Sequence, residues 1–410
     1  MAQFQPPRGT RDFLPQEMAR RQFIFDTLRR VFERFGYQAL ETPAFESWEL
    51  LAAKGAGGED IKDEIYYFKD KSDRELGLKF DLTAPMARVL ASRPELPKPF
   101  KRYQIQPVWR YEEIRAGKRY REFFQADVDV VGTNSMGAEA EILAITIEGL
   151  KALGFKDVYI KLNNRKVLEG LAQMAGIGSG KFLPMCRALD KVEKFGIKHV
   201  EDELKTVGIG KSSADKLFKL AGLKGTNQEI LAKLRKELEK QDGIEELAQM
   251  LKLAEAYGIG KLIKIDPCLA RGLDYYTGPI FEAVVKGKEA FGSVAGGGRY
   301  DKLIQLYGGP DTPATGISFG VERIFEIMEG AGMFKLPKSK TQVFLVAVND
   351  EVRPKLLKIA RELRDAGINT EIDLSGRGLS KQLTYINKAG VPWALIVGQR
   401  ELKEKKFTLK

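Results

Sequence analysis

KPFKRYQIQPVWRYEEIRAGKRYREFFQADVDVVG, residues 98–132, decides the fold. It reads as two strands joined by a long basic hairpin loop. The second strand alternates cleanly: Phe124, Ala126, Val128 and Val130 fall on one face, Phe123, Gln125, Asp127 and Asp129 on the other. The first face is core. The second sets an amide and two carboxylates in a row, and acids two residues apart on a strand repel unless a cation lies over them. The loop offers Arg110, Arg115, Lys118, Arg119 and Arg121. A cationic loop above an acidic strand face suits a ligand with phosphates for the arginines and an amine or imidazole for the acids. A solvated surface hairpin of mixed charge accounts for the same residues equally well.

The 410 residues have room for two or three domains with a full core. With 43% hydrophobic and 30% charged residues, the composition is that of a folded globular chain. No apolar run is long enough to span a membrane, and MAQFQPPRGTRDF lacks the apolar core of a signal peptide, so a cytoplasmic location is expected. Cys186 and Cys268 are far apart and lack metal-ligand spacing, which leaves neither a disulfide framework nor a zinc site. The one histidine, His199, reads as a surface residue of a helical stretch. A Ser-His-Asp or Cys-His mechanism therefore has no material, and the chemistry falls to Arg, Lys, Asp, Glu and backbone. The 67 Lys and Arg against 56 Asp and Glu favour an anionic partner such as a nucleotide or nucleic acid; plain solubility is the competing reading.

Outward from the hairpin, PQEMARRQFIFDTLRRVFERFG predicts a helix that begins at Pro15, carries an apolar stripe of Phe25, Leu28, Val31, Phe32 and Phe35, and ends at Gly36. AAKGAGGEDIKDE reads as a mobile loop. In LKFDLTAP, Asp81 and Thr83 stand at a strand end before a helix, where ligand-facing groups often lie, although Asp81 serves equally as that helix's N-cap. Residues 166–260 are rich in Lys, Glu and Leu and read as an inserted helical subdomain. Its GIGSG and GIGKSS stretches fail the phosphate-loop spacing and read as helix–helix turns. AGGG before Arg299 lets backbone approach a ligand closely. ATGISFGVERIFEIM gives a strand, a turn at Gly320 and a helix with Arg323 in its first turn, where a cation opposes the helix dipole unless an anion binds there. From Thr341 a βαβαβ pattern with a parallel sheet begins.

Together, PVWRYEE…RYREFFQADVDVVG, ATGISFGVERIFEIM, ETP, ARGLDYYTG, AGGGRYD and RGTRDFLP resemble the motifs of the histidyl-tRNA synthetase family, a class II aminoacyl-tRNA synthetase family. FDLTAP resembles its archaeal and eukaryotic branch, with Asp81 where bacterial relatives carry Glu. The resemblance implies an α+β fold: an antiparallel sheet flanked by helices (residues 1–335, with a 166–260 helical insertion) and a C-terminal α/β anticodon-binding domain (341–410). The family's C-terminal domain continues past the last strand read here, so a shortened version is expected. A homodimer is implied. The implied reaction joins histidine to ATP as histidyl-adenylate with Mg²⁺ on the phosphates, then passes the histidyl group to histidine tRNA.

Carried over by motif, Arg110 clamps the α-phosphate and the histidine carboxylate. Glu112 meets the adenine edge, and Phe123 and Arg323 sandwich the ring. Asp81 and Thr83 hold the histidine amino group. Gln125, Asp129, Tyr275 and Tyr276 enclose the amino acid, and Arg271 acts at the α-phosphate, with a structural Arg271–Asp274 pair as the alternative. A rival class shares the catalytic fold: histidine-binding regulatory subunits of ATP phosphoribosyltransferase, which lack the anticodon domain. A third reading is a nucleic-acid-binding module without catalysis.

Overall fold

The computed structural model describes residues 4–53, 63–114, 119–271, 275–404 and 406–410. Arg115 and Lys118 of the basic loop, Asp274, and residues 54–62 of the expected mobile loop lie outside the described residues. Contacts divide the chain into two units, Met1–Asp12 with Arg21–Met333, and Phe13–Arg20 with Phe334–Lys410.

Helix α1 (Pro15–Arg34) belongs to the first unit from Arg21 onward, and β1 (Gln38–Ala39) follows it. A small antiparallel sheet follows, β2 (Phe45–Ser47), β3 (Tyr67–Lys69) and β4 (Glu75–Leu78), then α2 (Thr83–Ser92). The predicted hairpin is β5 (Phe100–Trp109) and β6 (Glu122–Val131), antiparallel along its whole length with Arg102 opposite Asp129, Gln104 opposite Asp127 and Gln106 opposite Gln125. After α3 (Gly137–Ala152) come β7 (Val158–Asn164), the helical segment, β8 (Ile263–Ile265), β9 (Pro279–Val285), β10 (Ala295–Arg299), β11 (Ala314–Gly320) and α4 (Val321–Gly330). The large sheet runs β1-β5-β6-β11-β10-β9-β7-β8, antiparallel except for the pairs at its two edges.

One face of this sheet is the apolar core. The stripe on α1 buries Ile24, Leu28 and Phe32 completely. Phe25 stacks 5.0 Å from Phe124, and Phe32 lies 5.7 Å from both Phe319 and Tyr103. Each such buried side chain contributes about 1.5–3 kcal/mol. Gly149 of α3 lies against Leu28 and Phe319, where a larger side chain would push the two helices apart. The other face is polar and buried as well, and it carries the site.

Residues 165–256 are helical, as the composition indicates. Gly176 and Gly208 take positive φ, at the ends of Arg165–Met174 and Ile197–Thr206, so GIGSG and GIGKSS are turns between helices. The last helix of the segment, Asp242–Ala256, packs on α3 and β7, so the segment's end belongs to the core of the sheet rather than to a separate body. His199 is exposed.

The second unit holds β12 (Val343–Ala347), β13 (Thr370–Ile372) and β14 (Trp393–Val397), all parallel, with helices Arg353–Asp365 and Leu379–Ala389 between them. Alternation along β12 divides the core: Leu345 and Ala347 pack with Leu356 and Ala360, Phe344 and Val346 with Ile386. Past the βαβαβ unit, helix Gln399–Glu404 and an antiparallel β15 (Thr408–Leu409) extend the sheet to four strands. Their shortness and mixed charge hid them from periodicity.

Candidate active site

Two adjoining cavities open on the polar face of the large sheet. The first, about 250 Å³, is lined by Arg110, Glu112, Arg119, Phe123 and Arg323 among others. The second, about 160 Å³, is lined by Asp81, Thr83, Gln125, Asp129, Tyr275 and Tyr276 among others. Arg110, Gln125, Arg271, Gly296 and Ser318 line both. Every candidate residue read from the motifs thus lies on one of two neighbouring walls.

The first cavity is a basket of arginines. Arg110 sits just past β5, its Nε donating to the Phe80 carbonyl at 2.9 Å and its guanidinium 5.3 Å from the Phe123 ring. Glu112 lies 3.0 Å from Arg119 and 3.7 Å from Arg110. Gly320 ends β11, which puts Arg323 in the first turn of α4, its Nη1 donating to the Ser293 carbonyl at 2.6 Å. Burial lowers the Arg323 pKa; Glu282 opposes this, and Arg119 and Arg271 add to it. Crowded cations at a helix N-terminus call for an anion. The neighbouring Glu322 faces away from that role: it pairs with Arg21 at 2.7 Å and accepts the Phe124 N–H at 2.9 Å.

Arg271 spans the two cavities. The structure gives it a partner that the motifs did not name, Glu282 of β9, at 2.6 Å. Burial works against its charge, but Tyr276, Glu282 and Asp190 outweigh burial and hold the guanidinium above its ordinary value. Its guanidinium lies flat on β10: a Cβ at Gly296 would stand 2.0 Å from Nη1. The close approach expected of AGGG is therefore made at Gly296. Arg299 is not part of it, being buried in an ion pair with Glu139 at 2.6 Å.

The second cavity corrects one expectation from the hairpin. Among the described residues, the cation paired with Asp129 is not one of the loop's, although Arg110 lines the same cavity. Arg102 of β5, fully buried, lies 2.7 Å from the Asp129 Oδ2. Tyr300 donates its hydroxyl to the Asp129 Oδ1. Gly316, opposite Asp129 in register, leaves the carboxylate its space, since a Cβ there would lie 1.9 Å from Oδ1. Arg121 of the loop turns instead over the Tyr111 ring at 3.8 Å. The missed signal was the alternation Arg102, Gln104, Gln106 in KRYQIQ, which mirrors Asp129, Asp127, Gln125 once the strands are paired. Tyr300 lies within AGGGRYD, a stretch whose glycines alone carry an expected role.

Asp81 stands one residue before Leu82, the N-cap of α2, and lines the second cavity. Its Oδ1 accepts the Ala84 N–H at 3.0 Å, while Oδ2 is buried and has no hydrogen-bond partner among the described residues. Burial pushes its carboxyl up to about 6, against the pull of the Ala84 N–H and Arg110. Gln125 donates from Nε2 to the Ser318 hydroxyl at 2.8 Å, which leaves its Oε1 as a buried acceptor. Burial also raises the Asp129 pKa, with Arg102 opposing.

A comparison with family models matches residues 9–324 to the histidyl-tRNA synthetase model and residues 342–410 to the anticodon binding domain. The chain belongs to the histidyl-tRNA synthetase family. Among the family's curated members, the histidine–tRNA ligase of Thermococcus kodakarensis is 36% identical, over 100% of this chain and 94% of its own. That of Gloeobacter violaceus is 40% identical, over 98% and 93%, so identity does not separate the branches. The crystal structure of histidyl-tRNA synthetase from Nostoc sp. PCC 7120 superposes with a TM-score of 0.87 at 34% identity, covering 100% of this chain and 95% of that one. The α+β fold expected from the motifs is that of this family, down to the antiparallel sheet and the C-terminal anticodon-binding domain.

Proposed function

We propose that this chain joins histidine to tRNA in two steps at the paired cavities. The observation that carries the reading is their contrast. One cavity is lined by arginines and an aromatic ring and the other by buried carboxylates, and Arg110 and Arg271 stand where they meet. ATP and histidine are the substrates of the first step. A histidine carboxylate oxygen attacks the α-phosphorus, the bond to the β-phosphate breaks, and pyrophosphate leaves. Like charges meet in that step, so preorganised cations matter more than an acid or base. In the second step a hydroxyl at the tRNA 3′ end attacks the histidyl carbonyl and AMP departs.

The residues take these roles. Arg110 and Arg271 receive the α-phosphate and the histidine carboxylate. Phe123 and Arg323 hold the adenine ring between them, and Glu112 accepts from its amino edge. Asp81 and Thr83 hold the amino group. Gln125, Asp129, Tyr275 and Tyr276 enclose the amino acid. An imidazole N–H can be met by an acceptor of this cavity and an apolar side chain offers nothing in its place, which favours histidine. Mg²⁺ neutralises phosphate charge and arrives with the nucleotide. Glu112 and Glu322, the acids lining the first cavity, are both engaged by arginines, so the phosphates would supply most of the ion's ligands.

The C-terminal unit meets the anticodon arm; residues 341–410 carry 13 Lys and Arg against 8 Asp and Glu. The chain works as a homodimer in the cytoplasm; no described helix is long and apolar enough to cross a membrane. The regulatory-subunit alternative is disfavoured by the anticodon-binding match over 342–410 and by the complete set of Arg110, Arg271 and Arg323. ATP–pyrophosphate exchange tests the reading. Histidine should drive it and the other amino acids should not; a chain lacking 341–410 should keep exchange while tRNA charging collapses. Binding of histidine with no exchange would favour the regulatory role, and equal loss of both activities in a folded shortened chain would undo the division of labour.

A further inference from the structure

Four buried acceptor atoms of residues lining the second cavity have no hydrogen-bond partner among the described residues, Asp81 Oδ2, Gln125 Oε1, Asp127 Oδ1 and Asp129 Oδ2, and of these only the last lies in an ion pair, 2.7 Å from Arg102. Asp127 has no role in the site as described so far. It is 2% exposed, on β6 between Gln104 of β5 and Ser318 of β11. Its neighbour Asp129 is already committed to Arg102 and Tyr300, one on each oxygen. Asp127 has no such commitment at Oδ1. A buried carboxylate oxygen left without a donor costs free energy unless a ligand supplies one.

We infer that Asp127 is a further substrate-binding residue: with Asp81 and Gln125 it completes a three-acceptor cradle for the ammonium group of the bound amino acid. The proposal rests on the reading that the second cavity takes histidine. An ammonium carries three N–H donors and no acceptor, which matches three acceptors and no donor. Ser318 sets the geometry, since it receives the Gln125 Nε2–H and thereby turns the Gln125 Oε1 into the cavity. Burial, with the Asp129 charge adding and Arg102 opposing, pushes the Asp127 carboxyl up to about 7. An ammonium laid beside it restores the charged form.

The test compares two ligands that differ only in this group, histidine and 3-(imidazol-4-yl)propionate, which lacks the amine. Affinity is measured by calorimetry on the unaltered chain, on Asp127→Asn and on Asp127→Ser. A charge-assisted hydrogen bond corresponds to roughly 10- to 100-fold in affinity. The unaltered chain should prefer histidine strongly. Both variants should lose histidine affinity by about that factor, hold the deamino ligand nearly as before, and so narrow the preference. A preference unchanged in either folded variant, or an equal loss for both ligands, would overturn the inference alone. Failure of the unaltered chain to bind histidine would overturn the functional reading as well. Should neither variant fold, a crystal structure of the unaltered chain with histidine decides: the ammonium should lie within hydrogen-bond distance of the Asp127 Oδ1, and an ammonium out of its reach would overturn the inference.

Discussion

Arg271→Lys should slow histidyl-adenylate formation by roughly 10²–10³ while changing the KM for histidine and ATP only modestly. Arg271 is fixed before substrate arrives. Glu282 holds one nitrogen at 2.6 Å, and Gly296 lets the guanidinium lie flat on the sheet. Its Nε is buried without a partner among the described residues. A planar fork held this way can meet two phosphoryl oxygens, and a lysine ammonium cannot copy that geometry. Its worth therefore lies where negative charge gathers, on the α-phosphoryl oxygens in the transition state. Transfer from preformed histidyl-adenylate should suffer less. Single-turnover rates of the two steps check this; equal losses in both, or a loss confined to KM, would mean that Arg271 only positions substrate.

Arg102→Met should destabilise the chain by about 3–5 kcal/mol, the usual cost of leaving one member of a buried ion pair alone. Arg102 is fully buried and Asp129 nearly so, which removes the screening that weakens surface pairs. The pH dependence has a definite sign. Asp129 already has a raised pKa in the folded chain, and loss of Arg102 raises it further. A carboxyl whose folded pKa lies above its unfolded value loses stability as pH rises through that interval, so the variant's deficit should be larger at about pH 8 than at about pH 5. Thermal unfolding at the two pH values reads this out. Adding Asp129→Leu should recover much of the stability without recovering histidine activation. A single Arg102→Met variant as stable as the parent would show that the pair is not what holds the strand.

Much of this arrangement could be read in the sequence because it depends on local pattern. Period-two alternation in FFQADVDVV separates core from site, and β6 keeps that separation at every position described. The apolar stripe on α1 and the βαβαβ unit are equally local. What escaped depends on pairing across the sheet. Arg102 becomes the partner of Asp129 only when β5 and β6 are set in register, twenty-seven positions apart in the chain. Glu282 meets Arg271 through the path of the intervening loop, and Tyr300 reaches Asp129 from beyond β10. No window of periodicity contains such contacts. The charges of the basic loop are near the acids in sequence, whereas the ion pair to Asp129 is made by a residue on the adjacent strand.

The central claim is that nucleotide and amino acid meet across Arg110 and Arg271, one in each cavity. A crystal structure with histidinol and ATP tests it directly. The account predicts the adenine between Phe123 and Arg323, the α-phosphate within hydrogen-bond distance of Arg110 and Arg271, and the imidazole in the cavity walled by Asp129 and Tyr276. An α-phosphate out of reach of both arginines, or histidinol outside the second cavity, would contradict it.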